Sequence, residues 1–215
     1  KFLDTDGGKF QTSNSEVIDK FNSITGIYER RYAPDEINCS DLAAVAAGLA
    51  INDSKLDQET LDYIIVAHNA GDISCSSGQV DTLPSVASRV KAKLKIKNPN
   101  CVAYDIICGC PGWVEGIIQA KSFIKSGMAE KCLVIGCDTL SRILDENDRD
   151  SMIYADGSGA IVLESDSSYD GGILSHKSAT FTYDGENDFI FYGTSYNRRK
   201  LSLIHISEPT RPLDI

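Results

Sequence analysis

The chain has 215 residues, of which 42% are hydrophobic and 24% are charged, a composition typical of a globular protein with one sizeable core or two small ones. Its formal charge of −10 and pI of about 4.7 argue against a nucleic-acid-binding protein, which needs a basic surface. No apolar run is long enough to span a bilayer, and no signal peptide opens the chain. The seven cysteines are an odd number, which favours reduced thiols in a cytoplasm over a set of disulfides.

The first half of the chain is predicted to contain three helices and one buried strand. Helix limits follow from capping residues and from apolar residues at helical spacing, and the strand follows from a continuous apolar run. In chain order we predict a helix between Ser13 or Asn14 and Gly26, a helix over Asp41–Ala50 capped by Ser40, a strand over Leu61–His68 and a helix over Pro84–Leu94.

The second half alternates strands with a helix in the same way. We predict a strand over Cys101–Ile107, a helix over Val114–Lys125, a strand over Cys132–Asp138, a glycine turn over Asp156–Gly159 that feeds a strand to Glu164, and a further strand over Gly171–Ala179. This alternation predicts an α/β protein whose sheet is mainly parallel and is covered by crossover helices.

One cysteine, Cys110, lies where a predicted strand gives way to a helix. Pro111 follows it and is favoured at the first helical position. A helix N-terminus presents unpaired N–H groups and the positive end of the helix dipole, which favour the thiolate over the thiol. Gly109 and Gly112 allow a substrate or a backbone to approach the sulfur. The pattern therefore indicates a nucleophilic cysteine.

The main alternative for Cys110 is a small core residue, because cysteine is among the most buried residue types. Cys108, two residues earlier, is expected to lie in the strand. A Cys-x-Cys pair also raises the question of a metal. No second Cys or His pair follows at ligand spacing, so we predict no zinc site and no other metal.

Five segments recur in one order and together resemble the β-ketoacyl-acyl-carrier-protein synthase III family of the thiolase-like superfamily. The resemblance covers about residues 1–175. The five segments are Thr25–Arg31, Asp105–Trp113, which contains Cys110, Gly136–Asp138, Asp148–Arg149 and Asp156–Ala160.

The resemblance implies the fold, the reaction and the partners. The family fold is a layered αβαβα sandwich of two similar halves, so we expect residues 1–165 to form the first half, residues 166–200 to begin the second, and the chain to end early for this fold. Members condense an acyl-CoA starter with malonyl-acyl carrier protein through a thioester on the cysteine. They act in fatty-acid biosynthesis as homodimers in the cytoplasm. No cofactor is expected.

The resemblance also assigns substrate contacts. Arg149 matches an arginine that contacts the CoA nucleotide, although a solvated loop charge is its simpler interpretation. Thr25 falls in the Thr-Gly-Ile motif near the substrate, and Leu83 matches a residue that lines the acyl pocket across the dimer interface. Lys20 and Ile24 stand where the family often has a Trp and an Arg that hold CoA, which suggests an altered donor preference.

The catalytic His and Asn motifs that the family carries in its second half are not found here. His68 is expected to be a packed, hydrogen-bonded side chain, His176 does not match the motif, and His205 lies in the last stretch. We therefore expect the polypeptide alone to be inactive in condensation.

Residues 201–215 continue no helical or strand pattern and resemble translated sequencing-adapter read-through. We predict that they are non-native, the alternative being an irregular tail.

Two other functions stay open at this stage. One is an acyltransferase of secondary metabolism on the same fold, with a different acceptor; the other is a non-catalytic thiolase-like subunit that binds a partner or an acyl chain.

Two local sequence patterns are weak indications of a binding site. Four lysines over 91–97 are more typical of a solvated helix end than of a carrier-protein site, and Asp156–Gly159 lacks the lysine of a phosphate loop.

Overall fold

The computed structural model describes residues 2–4, 7–168 and 171–183. The predicted tail over 201–215 and His205 lie outside the described residues. The chain divides into two compact units. Of the described residues, the first unit comprises 2–4, 7–30, 143–154 and 178–183, and the second comprises 31–142, 155–168 and 171–177. No helix in the described ranges is both long and apolar enough to cross a membrane.

Four helices and six strands are present in the described part of the chain. The helices are α1 (Asn14–Thr25), α2 (Cys39–Ser54), α3 (Val86–Lys93) and α4 (Gly112–Ser126). The strands are β1 (Tyr63–Ala67), β2 (Asp72–Ile73), β3 (Val80–Asp81), β4 (Val102–Ile106), β5 (Lys131–Thr139) and β6 (Asp156–Glu164). Short 3₁₀ turns cover Gln58–Thr60, Leu140–Arg142 and Arg149–Ile153.

A four-stranded sheet in the order β4-β1-β5-β6 organises the second unit. The first three of these strands are parallel to one another, and β6 is antiparallel to β5. The prediction of a mainly parallel sheet is confirmed. A separate antiparallel pair is formed by β2 and β3.

Helices cover both faces of this sheet, and the side chains of β1 alternate between the two faces as strand geometry requires. Ile64 and Val66 pack with the helices α2 and α3, whereas Ile65 packs with α4. On α2 the buried hydrophobic residues recur every four positions and are mostly small, which allows that helix to lie close to the sheet. They are Cys39, Ala43, Ala47 and Ile51.

The glycines of α4 bring that helix close to the strands beneath it. A Cβ on Gly112 would lie 3.1 Å from the Cβ of Ala67, and one on Gly116 would lie 2.9 Å from Cγ1 of Val134. Both partners belong to central strands, so the helix axis approaches the sheet only because these positions lack side chains.

The first unit is built around α1, whose ends match the predicted capping residues. Ser13 is the N-cap, and its hydroxyl accepts a hydrogen bond from the Glu16 N–H at 3.3 Å while its own N–H donates to the Glu16 carboxylate at 3.0 Å. Gly26 ends the helix in the left-handed conformation. In the same unit, Arg30 donates hydrogen bonds to the carbonyls of Met152 and Ile153.

Three predicted elements differ from the structure. Helix α2 begins at Cys39 after an Asn38 N-cap and runs to Ser54, so Ser40 lies inside the helix, where its hydroxyl donates to Asp72. Residues 156–159 are not a turn but the first part of β6, because each pairs with a residue of β5. Gly171–Ala179 forms no strand.

The segment around Cys110 also differs in detail from the prediction. Strand β4 ends at Ile106, so Cys108 lies in the following loop. This strand is half-buried rather than buried, since within the described residues it forms an edge of the sheet. Pro111 is the N-cap of α4 and not its first helical residue. Cys110 therefore lies one position further from the helix than its sequence context predicts.

Replacing Gly116 with alanine should destabilise the fold, because the new methyl group meets a β-branched side chain held in a central strand. We expect Gly116→Ala to lower the free energy of unfolding by about 1–3 kcal/mol, measured by chemical denaturation. Gly48 of α2 is the matched control, since a Cβ there would lie 3.9 Å from Leu94, which is ordinary contact distance. Gly48→Ala should raise stability by about 0.5–1 kcal/mol through helix propensity. Equal effects of the two changes would contradict the close packing of α4.

Candidate active site

Cys110 is an exposed side chain in the loop between β4 and α4. It precedes the Pro111 N-cap directly, so the amide groups of the first turn of α4 begin just beyond it. In the described part of the chain, its backbone N–H has no hydrogen-bond partner. The alternative interpretation of Cys110 as a buried core residue is therefore excluded. An accessible sulfur with a spare amide donor is what nucleophilic attack on a thioester requires.

A cleft of about 350 Å³ contains Cys110 in its wall. The carboxyl ends of β1 and β5, the Cys110 loop and the start of β6 contribute to it, because the parallel strands all end at this edge of the sheet. The lining residues are Ala67, Gly109, Cys110, Trp113, Gly136, Cys137, Asp138, Ala155, Asp156, Gly157, Ser158 and Gly159. Two of the segments that carry the family resemblance, Gly136–Asp138 and Asp156–Gly159, therefore meet Cys110 in one cleft.

A half-buried carboxyl group, Asp138, lies near the end of β5 in this cleft. Its two oxygens accept hydrogen bonds from the backbone N–H and the side-chain amide of Asn69, at 2.8 and 2.6 Å. Burial raises the pKa of Asp138 above its usual range, although the Asn69 hydrogen bonds oppose this shift. The two hydrogen bonds hold Asn69 in place, and the side-chain oxygen of Asn69 lies beside Gly109 of the Cys110 loop.

A second polar pair, His68 and Asp105, lies at the ends of the adjacent strands β1 and β4. His68 is buried, and its Nε2 lies 3.0 Å from Oδ2 of Asp105. The Gly71 N–H donates to Nδ1 at 3.0 Å, so the ring proton lies on Nε2 and is donated to Asp105. The prediction that His68 is a packed, hydrogen-bonded residue is confirmed.

Asp105 also accepts hydrogen bonds from the first-turn amides of α3. The N–H groups of Val86 and Ala87 lie 2.7 and 2.8 Å from its carboxylate. Burial alone would raise the pKa of Asp105, but the hydrogen bonds from His68, Ala87 and Val86 outweigh it and hold the pKa below the usual range. The carboxylate therefore ties β4, β1 and α3 together five residues before Cys110.

A separate groove of about 280 Å³ lies in the first unit and gathers several residues selected from the sequence. Arg149 and Thr25, both predicted to contact substrate, line this groove together with Lys20 and Ile24, which occupy the positions of the expected Trp and Arg. The remaining lining residues are Phe10, Thr12, Glu16, Val17, Phe21, Met152 and Ile153.

The side chains of Arg149 and Thr25 have local partners as well. The Arg149 guanidinium lies 5.1 Å from the centre of the Phe10 ring, a cation–π distance, and its Nε is 3.7 Å from Oδ1 of Asp150. The Thr25 hydroxyl donates to the Phe21 carbonyl at 2.8 Å and accepts from the Ile27 N–H at 3.2 Å. These contacts support the shape of the groove.

Leu83 and His176 lie apart from the lining of the cleft. Leu83 is 84% exposed and precedes α3 in the second unit. His176 is exposed in an irregular segment. No histidine is among the lining residues of the cleft as the described ranges define it. Sequence reasoning missed Asn69 and the partnership of His68 with Asp105, because both depend on contacts between strands that are distant in sequence.

Comparison with known protein families finds one match within the second half of the chain. The family profile described as 3-Oxoacyl-[acyl-carrier-protein (ACP)] synthase III matches residues 104–181, a segment that includes Cys110.

Curated relatives of this chain carry the name Beta-ketoacyl-[acyl-carrier-protein] synthase III. The protein from Ehrlichia ruminantium (strain Gardel) is 38% identical over 192 residues, which is 87% of this chain and 54% of the relative. The protein from Neisseria gonorrhoeae (strain NCCP11945) is 42% identical over 161 residues, 71% of this chain and 48% of the relative. This chain therefore spans about half the length of these relatives.

A solved structure shares the fold. The crystal structure of 3-oxoacyl-[acyl-carrier-protein] synthase III from Aquifex aeolicus VF5 superposes with a TM-score of 0.59 and 36% sequence identity, over 69% of this chain and 46% of that chain. The predicted thiolase-like α/β fold is thus confirmed.

Replacing Asp105 with asparagine should reduce stability at neutral pH, because the amide oxygen cannot serve all three donors that the carboxylate accepts. We expect Asp105→Asn to lower the free energy of unfolding at pH 7 by about 1–3 kcal/mol. A carboxyl whose pKa is lowered on folding contributes stability above its unfolded pKa of about 3.9 and loses that contribution as the pH falls. The difference between the two proteins should therefore shrink below about pH 4.

The measurement is chemical denaturation at a series of pH values. Asp53 is exposed near the end of α2 and provides the control. Asp53→Asn should change the free energy of unfolding by less than about 0.5 kcal/mol. A pH-independent difference between wild type and Asp105→Asn would show that the ionised carboxylate is not the source of the stability.

Proposed function

We propose that Cys110 accepts an acyl group from acyl-CoA as the first step of a condensation with malonyl-acyl carrier protein in fatty-acid biosynthesis. The proposal starts from the family to which this chain belongs, the β-ketoacyl-acyl-carrier-protein synthase III family. The observation that carries the proposal is the position of Cys110: an exposed thiol in a cleft, directly before a helix N-terminus, with an unpartnered backbone N–H among the described residues. The named relatives support the choice of substrates.

The acyl-transfer step follows from the chemistry of a thiol and a thioester. The Cys110 sulfur attacks the carbonyl carbon of acyl-CoA, the carbon–sulfur bond to CoA breaks, and CoA leaves as its thiol after taking up a proton. In the tetrahedral intermediate the former carbonyl oxygen carries negative charge. The Cys110 N–H is placed to donate to it, and such donors typically contribute about 3–4 kcal/mol to transition-state stabilisation.

The condensation step places further demands on the protein. Loss of carbon dioxide from the malonyl group leaves a carbanion that attacks the acyl thioester on Cys110 and yields a β-ketoacyl product. In the family a His and an Asn stabilise the carbanion, whereas His68 of this chain is committed to Asp105. We propose that the 215-residue polypeptide by itself carries out acylation and not condensation.

Arg149 and Thr25 are proposed to bind the CoA part of the donor through the groove in the first unit. A guanidinium pairs with phosphate oxygens and stacks on an aromatic base, so Arg149 suits a nucleotide. Lys20 and Ile24 in the same groove favour a donor preference that differs from that of relatives with Trp and Arg. Because Lys20 and Ile24 depart from the family pattern, an acyltransferase of secondary metabolism with a different acyl acceptor is the second candidate function.

The arrangement of halves and subunits is also a proposal. We assign residues 1–165 to the first half of the thiolase-like sandwich and 166–200 to the start of the second, and β6 ends at Glu164, close to that boundary. Leu83, being exposed, suits a role in the acyl pocket of a second copy in a homodimer. The free state of the described cysteines agrees with action in the cytoplasm.

Acylation of Cys110 is tested directly by mass spectrometry. After incubation with acyl-CoA, the wild-type chain should gain the mass of one acyl group on the peptide that contains Cys110, and one equivalent of CoA thiol should appear. Cys110→Ser should show neither change. Cys75 is also exposed and provides the control: Cys75→Ser should acylate like wild type. A folded wild-type chain that stays unmodified would support the non-catalytic subunit instead.

The role of Arg149 is tested by comparing two donors. Arg149→Met should require about tenfold more acyl-CoA for the same acylation rate, which corresponds to about 1.4 kcal/mol of lost binding. It should behave like wild type with acyl-pantetheine, which lacks the nucleotide. Lys125→Met removes an exposed cation from α4 and should leave both donors unaffected. An equal loss for both donors would contradict a nucleotide contact.

A further inference from the structure

Two exposed thiols flank a single glycine in the loop before α4. Cys108 and Cys110 are both solvent-exposed, whereas Cys39, Cys101, Cys132 and Cys137 are buried. Cys108 lies outside β4, so no strand pairing holds it in place. The proposed condensing chemistry uses Cys110 only and leaves Cys108 without a function.

The backbone between these two cysteines is bent. Gly109 has φ of +65°, and the turn that follows is closed by a hydrogen bond from the Gly112 N–H to the Gly109 carbonyl at 3.0 Å. Cα atoms two residues apart are separated by at most about 7 Å, and a bend shortens this separation towards the range of roughly 4.4–6.8 Å that disulfides occupy. Glycine also provides the conformational freedom that closing so small a ring requires.

The other cysteines are poorer candidates for oxidation. Burial raises the pKa of the Cys101 and Cys132 thiols, the latter to about 12, so little thiolate is present at either. Cys137 lines the cleft, but it is buried and its thiol donates to the Cys39 carbonyl at 3.0 Å. Cys75 is exposed, but it follows β2 in a different loop.

We propose that Cys108 is a resolving thiol, which forms a reversible disulfide with Cys110 when a peroxide oxidises Cys110. The inference rests on the proposed function in one respect, namely that Cys110 is the reactive nucleophile. Redox-sensing cysteines are typically accessible and lie next to a second thiol that captures the oxidised form.

The chemistry proceeds in two balanced steps. The Cys110 thiolate attacks one oxygen of hydrogen peroxide, the O–O bond breaks, and the sulfenic acid forms with release of hydroxide, which a proton converts to water. The Cys108 thiolate then attacks the Cys110 sulfur, the S–O bond breaks, and the disulfide forms with release of hydroxide, which a proton converts to water. A dithiol reductant supplies the two electrons and two protons that restore both thiols.

The consequence is a protected but inactive state of the site. While the disulfide is present, Cys110 has no thiolate and cannot accept an acyl group. Without Cys108, the sulfenic acid would react with further peroxide to give the sulfinic acid, which a thiol reductant does not reverse. The second cysteine thus converts a permanent loss of the nucleophile into a temporary one.

The test treats the full chain with hydrogen peroxide and compares wild type with Cys108→Ser and Cys108→Ala. Trypsin releases residues 98–121 as one peptide that contains Cys101, Cys108 and Cys110. In wild type this peptide should become about 2 Da lighter, with the loss located by fragment ions after Cys101, and reductant should restore acylation by acyl-CoA. In both variants Cys110 should instead gain two oxygen atoms, and reductant should not restore acylation.

The controls separate this inference from the proposed function. Cys75→Ser should behave like wild type, which would confirm that the third exposed thiol is not involved. Irreversible oxidation of Cys110 at the same rate with and without Cys108 would overturn the proposal, and so would a cross-link between peptide 98–121 and the peptide containing Cys137. If the disulfide forms in a chain that acyl-CoA does not acylate, the inference stands and the proposed function falls.

Discussion

The parallel pairing of β1 with both β4 and β5 is the constraint on which the site depends. In this register Ala67 lies opposite Ile106 on one side and Gly136 on the other, so β1 and β4 end together, whereas β5 continues to Thr139 at the same edge of the sheet. The chain leaves that edge through His68 and Asn69, through the Cys110 loop and through Asp138. A shift of one residue in either pairing would turn the side chains of the shifted strand to the opposite face and separate them from their present neighbours.

The position of the nucleophile then depends on how closely α4 approaches this sheet. Gly112 and Gly116 permit close contact with Ala67 and Val134, and Gly136 in β5 accommodates the side chain of Trp113. Because the helix begins directly after Pro111, the approach that packs its first turn also sets the location of the Cys110 loop. The same small residues therefore determine both the distance between α4 and the sheet and the position of the Cys110 loop. A larger side chain at any of these positions would change both.

The sequence was sufficient to predict features that depend on neighbouring residues. The Ser13 and Gly26 caps of α1, the strand at Tyr63–Ala67 and the cysteine between a strand and a helix follow from local patterns. The features that sequence reasoning missed depend on contacts far along the chain. The sequence over Gly157–Gly159 is rich in glycine and predicts a turn, but these residues pair with β5 and form part of a strand. Conversely, residues 171–179 are predicted to form a strand but pair with none in the described part of the chain.

Reactivity and vulnerability of Cys110 have the same structural cause. A thiol that must meet an external thioester has to be exposed, and exposure admits oxidants as readily as substrates. Burying the sulfur would protect it and abolish access, as the four buried cysteines illustrate. The loop achieves access by leaving β4 early and bending at Gly109, and the same departure exposes Cys108. An accessible nucleophile and an adjacent second thiol are therefore consequences of one local feature, the short irregular segment between β4 and α4.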